Sequence, residues 1–149
     1  MDEAEVSSQL AEFRSARREF TEQARAVPSE RWSIALPGEW NTRDIVVHAA
    51  AWIDEANDRI PRLMAGAPPR DYDVDAFNAQ AVTRAAEWSP EQALGALRRA
   101  ADRFEAIIGE SDASDIAGCD GAMQWLRNIA RTALTAHFDD LNRLAASAE

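Results

Sequence analysis

Apolar residues recur at intervals of three and four along most of the chain, the spacing that buries one side of an α-helix. Alanine, the strongest helix former, occurs 31 times, glycine occurs 6 times, and no segment shows the alternation typical of a strand. The pattern predicts an all-α fold of four long helices and one shorter one, packed as a bundle. A length of 149 residues indicates a single domain over residues 1–149.

Start and stop signals place the predicted helices. Asn41 is a typical N-cap before a helix beginning at Thr42, with Asp44 as the acidic member of a capping box. Ser89 and Gln92 form a similar signal around a proline. The predicted helices span residues 3–26, 42 to either 61 or 66, 74–87, 90–108 and 122–146, and an acidic loop fills 109–121.

The charge balance limits the classes of partner. The chain has 16 basic residues, all arginine, against 26 acidic ones, a formal net charge of -10. Nucleic acids and anionic membranes attract clustered positive charge, so neither is an expected partner. No apolar run approaches the length of a membrane span, Cys119 is the single cysteine, and no N-terminal stretch resembles a signal peptide. We therefore expect a cytoplasmic protein.

The two histidines are the main candidates for chemistry. His48 and His137 both lie on apolar faces of predicted helices, where a polar side chain needs a partner. One interpretation is that the helices bring the two imidazoles together to hold a metal or to transfer protons. The other is that each is a separately hydrogen-bonded core histidine.

A metal site would need a third ligand. Asp140 lies one turn from His137 and could complete a set of two histidines and one carboxylate with His48. The acidic residues 71–75 imitate a calcium loop, but Ala76 stands where glycine is required and Val82 where glutamate is required. Calcium is therefore excluded at that segment.

A resemblance to a known family appears in the same helix as His48. Residues 40–52 read WNTRDIVVHAAAW, which is similar to the W-x-x-x-D-x-x-x-H-x-x-x-W signature of DinB/YfiT-like four-helix bundles. Residues 66–69 (GAPP) and 72–78 (YDVDAFN) resemble the loop and helix start of the ClbS/DfsB branch. The pair at 137–138 resembles the His-Tyr pair of that branch's last helix.

This resemblance implies an up-and-down four-helix bundle with a small-molecule pocket at one end, and members of the family are frequently homodimers. In the ClbS/DfsB branch the protein binds and hydrolyses a reactive genotoxic metabolite, giving self-resistance. On this analogy His48 and His137 are the expected catalytic residues, and Trp40, Trp52 and Asn78 are the expected substrate-binding residues.

Metal-binding members of the superfamily suggest an alternative function. They hold zinc or nickel with one histidine from the second helix and two from the last, and some use the ion for thiol transfer or isomerisation. Here His48 and His137 match, but Ala133 and Leu141 stand four residues on either side of His137. A metal would therefore depend on Asp140. A third possibility is a non-catalytic protein that sequesters its ligand.

Overall fold

A computed structural model describes residues 2–147, and every regular element within them is helical, which confirms the expected all-α class. The α-helices are α1 (Asp2–Ala26), α2 (Thr42–Met64), α3 (Val74–Arg84), α4 (Pro90–Glu110), α5 (Ala113–Ala117), α6 (Asp120–Ile129) and α7 (Phe138–Ala146). A π turn (Ala130–Leu134) and a 3-10 turn (Thr135–His137) join α6 to α7, and a further 3-10 turn covers Ser29–Arg31.

The helix starts lie where side chains can satisfy free backbone N–H groups. The Asn41 side chain accepts a hydrogen bond from the Asp44 N–H at 2.8 Å, so α2 begins at Thr42 as predicted. Ser89 and Gln92 cap each other's backbone at the start of α4. These local bonds satisfy N–H groups that have no partner within the helix.

The predicted acidic loop over residues 109–121 is wrong. It contains α5, and α6 begins within it at Asp120. The Asp112 carboxylate accepts a hydrogen bond from the Ser114 N–H at 2.8 Å and so caps α5. Ile116 is fully buried, so one apolar side chain anchors this otherwise polar segment beside α1.

The prediction of one uninterrupted last helix over residues 122–146 is also wrong, because the π turn and the 3-10 turn divide it. The Thr132 hydroxyl donates to the Asn128 carbonyl at 2.9 Å. Such a bond competes with the backbone ladder and bends helices. Both Ala133 and Leu134 are buried in the π turn.

The core forms where the long helices meet. Helix α2 packs along much of α4 and against α6, whereas α1 contacts α4, α5 and the segment from α6 to α7. Phe13 and Phe104 join α1 to α4, with ring centroids 4.4 Å apart. Gly121 allows α6 to approach α2 closely, because a Cβ there would lie 3.3 Å from the Leu63 side chain.

The exposed faces of the helices are strongly polar. No helix in residues 2–147 is both long enough and apolar enough to cross a membrane.

Arg17 interrupts the apolar stripe of α1. Its side chain extends outward and forms ion pairs with Asp102 and Glu105 on α4.

Replacing Phe104 by alanine should reduce the free energy of unfolding by about 3–5 kcal/mol, because a fully buried ring is removed and a cavity remains. Urea denaturation measures the loss. Ile34→Ala is the control, since Ile34 is 48% exposed and should change stability by less than about 0.5 kcal/mol. Similar losses in the two variants would contradict the assigned core.

Candidate functional site

His48 lies in the second turn of α2 and is 7% exposed. Its Nδ1 atom is buried and has no hydrogen-bond partner among residues 2–147. Burial, together with the nearby charge of His137, lowers the pKa of His48 from 6.5 to about 4. The imidazole is therefore neutral at pH 7.

The structure brings the second histidine against the first. His137 ends the 3-10 turn before α7, and its ring meets His48 edge to face, with centroids 5.1 Å apart and planes at 82°. The Nδ1 atom of His137 lies 3.3 Å from the Oδ2 atom of Asp140. His137 is half-buried, with 17% of its side chain exposed, so it connects buried His48 to the surface.

Trp40 covers both imidazoles. Its ring centroid lies 4.8 Å from that of His48 and 6.3 Å from that of His137, nearly parallel to the second ring. We call Trp40, His48 and His137 the histidine cluster. A cleft of about 270 Å³ lies on the outer side of this cluster, lined by Trp40, His137 and Asp140 among others.

A larger cavity of about 480 Å³ lies on the His48 side, between α2, the loop after it and α6. Trp52, Tyr72 and Trp125 line it, with ring centroids 5.3–6.3 Å apart. We call it the aromatic cavity. Its polar lining includes Gln124, Asn128 and Thr132 at intervals of four residues. This mixture of aromatic surface and a few polar groups is typical of small-molecule sites.

Glu55 on α2 binds two residues of the loop that lines the aromatic cavity. Its carboxylate accepts hydrogen bonds from the Tyr72 hydroxyl and from Arg70 Nη1, the latter at 3.1 Å. Burial and the Glu55 charge raise the pKa of Tyr72, so this phenol remains a neutral donor at pH 7. These bonds tie the loop between α2 and α3 to the side of α2.

Asn78 holds the Trp52 indole by a hydrogen bond. The Asn78 carbonyl oxygen accepts the Trp52 indole N–H at 2.8 Å, and Phe77 packs on the same indole with centroids 4.0 Å apart. Asn78 is not among the residues lining the aromatic cavity, whereas Trp52 is. In this arrangement Asn78 positions Trp52, and its direct contact with a ligand stays a prediction.

The expected metal ligands are only partly assembled. Asp140 lies beside His137, but its Oδ1 atom accepts a 2.6 Å hydrogen bond from Arg143 and its Oδ2 atom faces His137. Residues 2–147 contain no group of three or more His, Cys, Asp or Glu side chains placed to hold a metal ion. As arranged, these donors do not fit an ion, and zinc or nickel stays a prediction.

Sequence reasoning identified the histidines and Trp52 but missed most of the cavity wall. Trp125, Gln124 and Asn128 carry a helical-spacing signal that could have placed them on one face of α6. The partnership of Glu55 with Arg70 and Tyr72 had no such signal, because it depends on how the loop folds back onto α2.

Comparisons of the chain with protein-family models, curated proteins and solved structures found no match. The function is therefore argued from the geometry of the histidine cluster and the aromatic cavity.

The pKa of His48 can be measured directly, because the chain has only two histidines. Proton–carbon NMR of the ring resonances should show His48 titrating near pH 4. In a His137→Asn variant the pKa of His48 should rise, since one cause of its depression is removed. A value near 6.5 in the native protein would contradict the described burial.

The same shift makes stability depend on pH. Between pH 6.5 and about 4 the unfolded chain protonates His48 and the folded protein does not. Stability from this residue is therefore lost as pH falls through that window, by about 3 kcal/mol. Urea denaturation at several pH values should show a smaller loss in His48→Gln, and equal losses would contradict the assignment.

Proposed function

We propose that this protein binds and hydrolyses a reactive small molecule, as a DinB/YfiT-like four-helix bundle nearest the ClbS/DfsB branch. The observation that carries the proposal is a neutral imidazole, His48, that lines a cavity walled by three aromatic rings. Such a group accepts a hydrogen bond from water at neutral pH, and the aromatic wall binds an apolar or unsaturated ligand.

The arrangement of helices supports the bundle. Helices α1, α2, α4 and the run from α6 to α7 pack on one another around a shared core. The start of α4 faces the end of α1, since Pro90 and Arg25 line the same groove. Further along α4, Asp102 and Glu105 pair with Arg17, which comes earlier in α1. Helices α1 and α4 are therefore antiparallel. The residues of the WxxxDxxxHxxxW pattern lie on or just before α2.

The proposed reaction is addition of water to an electrophilic carbon. His48 orients the water by accepting one of its protons in a hydrogen bond. As the new C–O bond forms, this proton moves to His48 and on to the His137–Asp140 pair, and the bond to the leaving atom breaks. The same proton then returns to the leaving atom, which leaves both histidines neutral and completes hydrolysis. Because His48 is a weak base, with a pKa of about 4, the second histidine is needed to take the proton onward.

Detoxification of a small molecule is the proposed role. A net charge of -10 disfavours nucleic acid and anionic membranes as partners, which is compatible with a small-molecule ligand. The homodimer and the cytoplasmic location stay predictions.

Replacing His48 or His137 by alanine should lower turnover at least 100-fold, the range expected when a proton-transfer group is removed. Styrene oxide and other strained electrophiles serve as probes, with product measured by chromatography over several equivalents per protein. Arg84→Gln is the matched control, because Arg84 lies outside the cavity on α3. Unchanged turnover in both histidine variants, with melting temperatures preserved, would refute the mechanism.

The number of turnovers separates catalysis from sequestration. A hydrolase should consume many equivalents of electrophile, whereas a sequestering protein should stop at one ligand per chain. Trp52→Ala should weaken ligand binding in either case, because it removes one ring of the wall. Consumption that stops at one equivalent would favour sequestration over the proposed reaction.

Turnover should survive dialysis against EDTA, since both oxygens of Asp140 already have partners and no closed ligand set is present among residues 2–147. Elemental analysis of untagged protein purified without chelator provides the metal content. Loss of activity that zinc or nickel restores, together with loss of the ion in His48→Ala, would instead favour a metal-dependent thiol transferase or isomerase.

A further inference from the structure

A second, larger groove of about 1100 Å³ runs between α1 and α4, and shares no lining residue with the aromatic cavity. Its lining contains five arginines, against three glutamates. The arginines are Arg14, Arg17, Arg18, Arg25 and Arg98, and the glutamates are Glu22, Glu91 and Glu105. In a chain of net charge -10, a groove with an excess of positive charge is unexpected.

Two of these arginines hold the walls together. Arg14 and Arg17 on α1 pair with Glu105 on α4, and Arg17 also pairs with Asp102 at 2.6 Å. Their charges are compensated within the protein. These pairs account for one end of the groove and need no ligand.

The other three arginines have no such explanation. Arg18, Arg25 and Arg98 are exposed, and none has a hydrogen-bond or ion-pair partner among the residues that the structure describes. Most arginines elsewhere do have one, for example Arg70 with Glu55 and Arg143 with Glu39. Glu22 and Glu91 are the remaining acidic residues of the lining, and neither is bonded to these three arginines. Guanidinium groups on both walls therefore leave a net excess of positive charge, which favours an anion.

The start of α4 adds little attraction for an anion. Pro90 and Glu91, in its first turn, line the groove, and the Glu91 carboxylate already offsets the positive end of the helix. The Gln92 N–H is already bonded to the Ser89 hydroxyl, and proline has no N–H. The arginines, not backbone groups, are therefore the main donors.

The spacing of the arginines limits the size of the anion. Arg18 and Arg25 lie two turns apart on α1, about 10 Å along the axis, and Arg98 lies on the opposite wall. A guanidinium binds phosphate oxygens in a bidentate manner. Linked phosphates can bind guanidinium groups spread over this distance at several points, so they fit the groove better than one orthophosphate.

Two apolar residues of the groove, Trp32 and Leu97, offer little surface to a docked amphipathic helix, because each is only 3% exposed. The Trp32 indole N–H is bonded to the Val27 carbonyl at 3.0 Å. We propose that this groove binds a small molecule carrying two or more phosphate groups, and that this binding is independent of the proposed hydrolysis.

Isothermal titration calorimetry with inorganic tripolyphosphate at about 50 mM salt tests the site. Saturable binding is expected, and Arg18→Gln and Arg98→Gln should each weaken it about tenfold, the effect of losing one charge-assisted hydrogen bond. Arg84→Gln removes the same charge from α3 and should leave affinity unchanged. Circular dichroism confirms folding, which these exposed substitutions should not disturb.

Several outcomes would overturn the proposal: no saturable binding, equal weakening by Arg18→Gln and Arg84→Gln, or equal affinity for orthophosphate. Tighter binding of an oligoglutamate peptide would overturn it in favour of an acidic protein partner. ATP in place of tripolyphosphate distinguishes the source, since tighter ATP binding indicates a nucleotide and equal binding indicates the phosphate chain alone. Both of these results support the site.

Discussion

Removing the imidazole of His48 from water constrains the helices around it. A buried polar atom without a partner costs free energy, so the position is tolerated only if the ring is otherwise well packed and uncharged. Trp40 and His137 provide that packing through ring contacts instead of hydrogen bonds to Nδ1. Burial in turn disfavours the imidazolium form. The His48 ring is therefore neutral at physiological pH and can accept a hydrogen bond.

No carboxylate offsets the cost of charging His48, because burial and the charge of His137 are the causes of its pKa shift. The acidic groups of the two clefts have other partners. Glu55, two turns along α2 from His48, is bound by Tyr72 and Arg70, and Asp140 is bound by Arg143 and faces His137. The burial of His48 is therefore uncompensated, and its imidazole stays neutral at pH 7.

Sequence patterns predicted the helical class and several helix starts because those features depend on local bonds. Asn41 and Ser89 cap their helices through atoms only three residues away. The π turn before His137 could not be predicted in this way, because residues 130–134 contain no proline or glycine to mark it. In the structure the Thr132 hydroxyl donates a hydrogen bond to the Asn128 carbonyl one turn earlier, within the interrupted segment.

The candidate site shows the same division between local and long-range information. His48 and Trp52 are one turn apart on α2, so the sequence places them together. Tyr72 lines the same cavity, and its hydroxyl donates a hydrogen bond to Glu55, 17 residues earlier in the chain. Trp125 completes the wall because α6 packs close to α2. A Cβ at Gly121 would lie 3.3 Å from the Leu63 side chain, which would have to shift by a few tenths of an ångström. The shape of the cavity thus depends on contacts between helices far apart in the sequence, which no local pattern encodes.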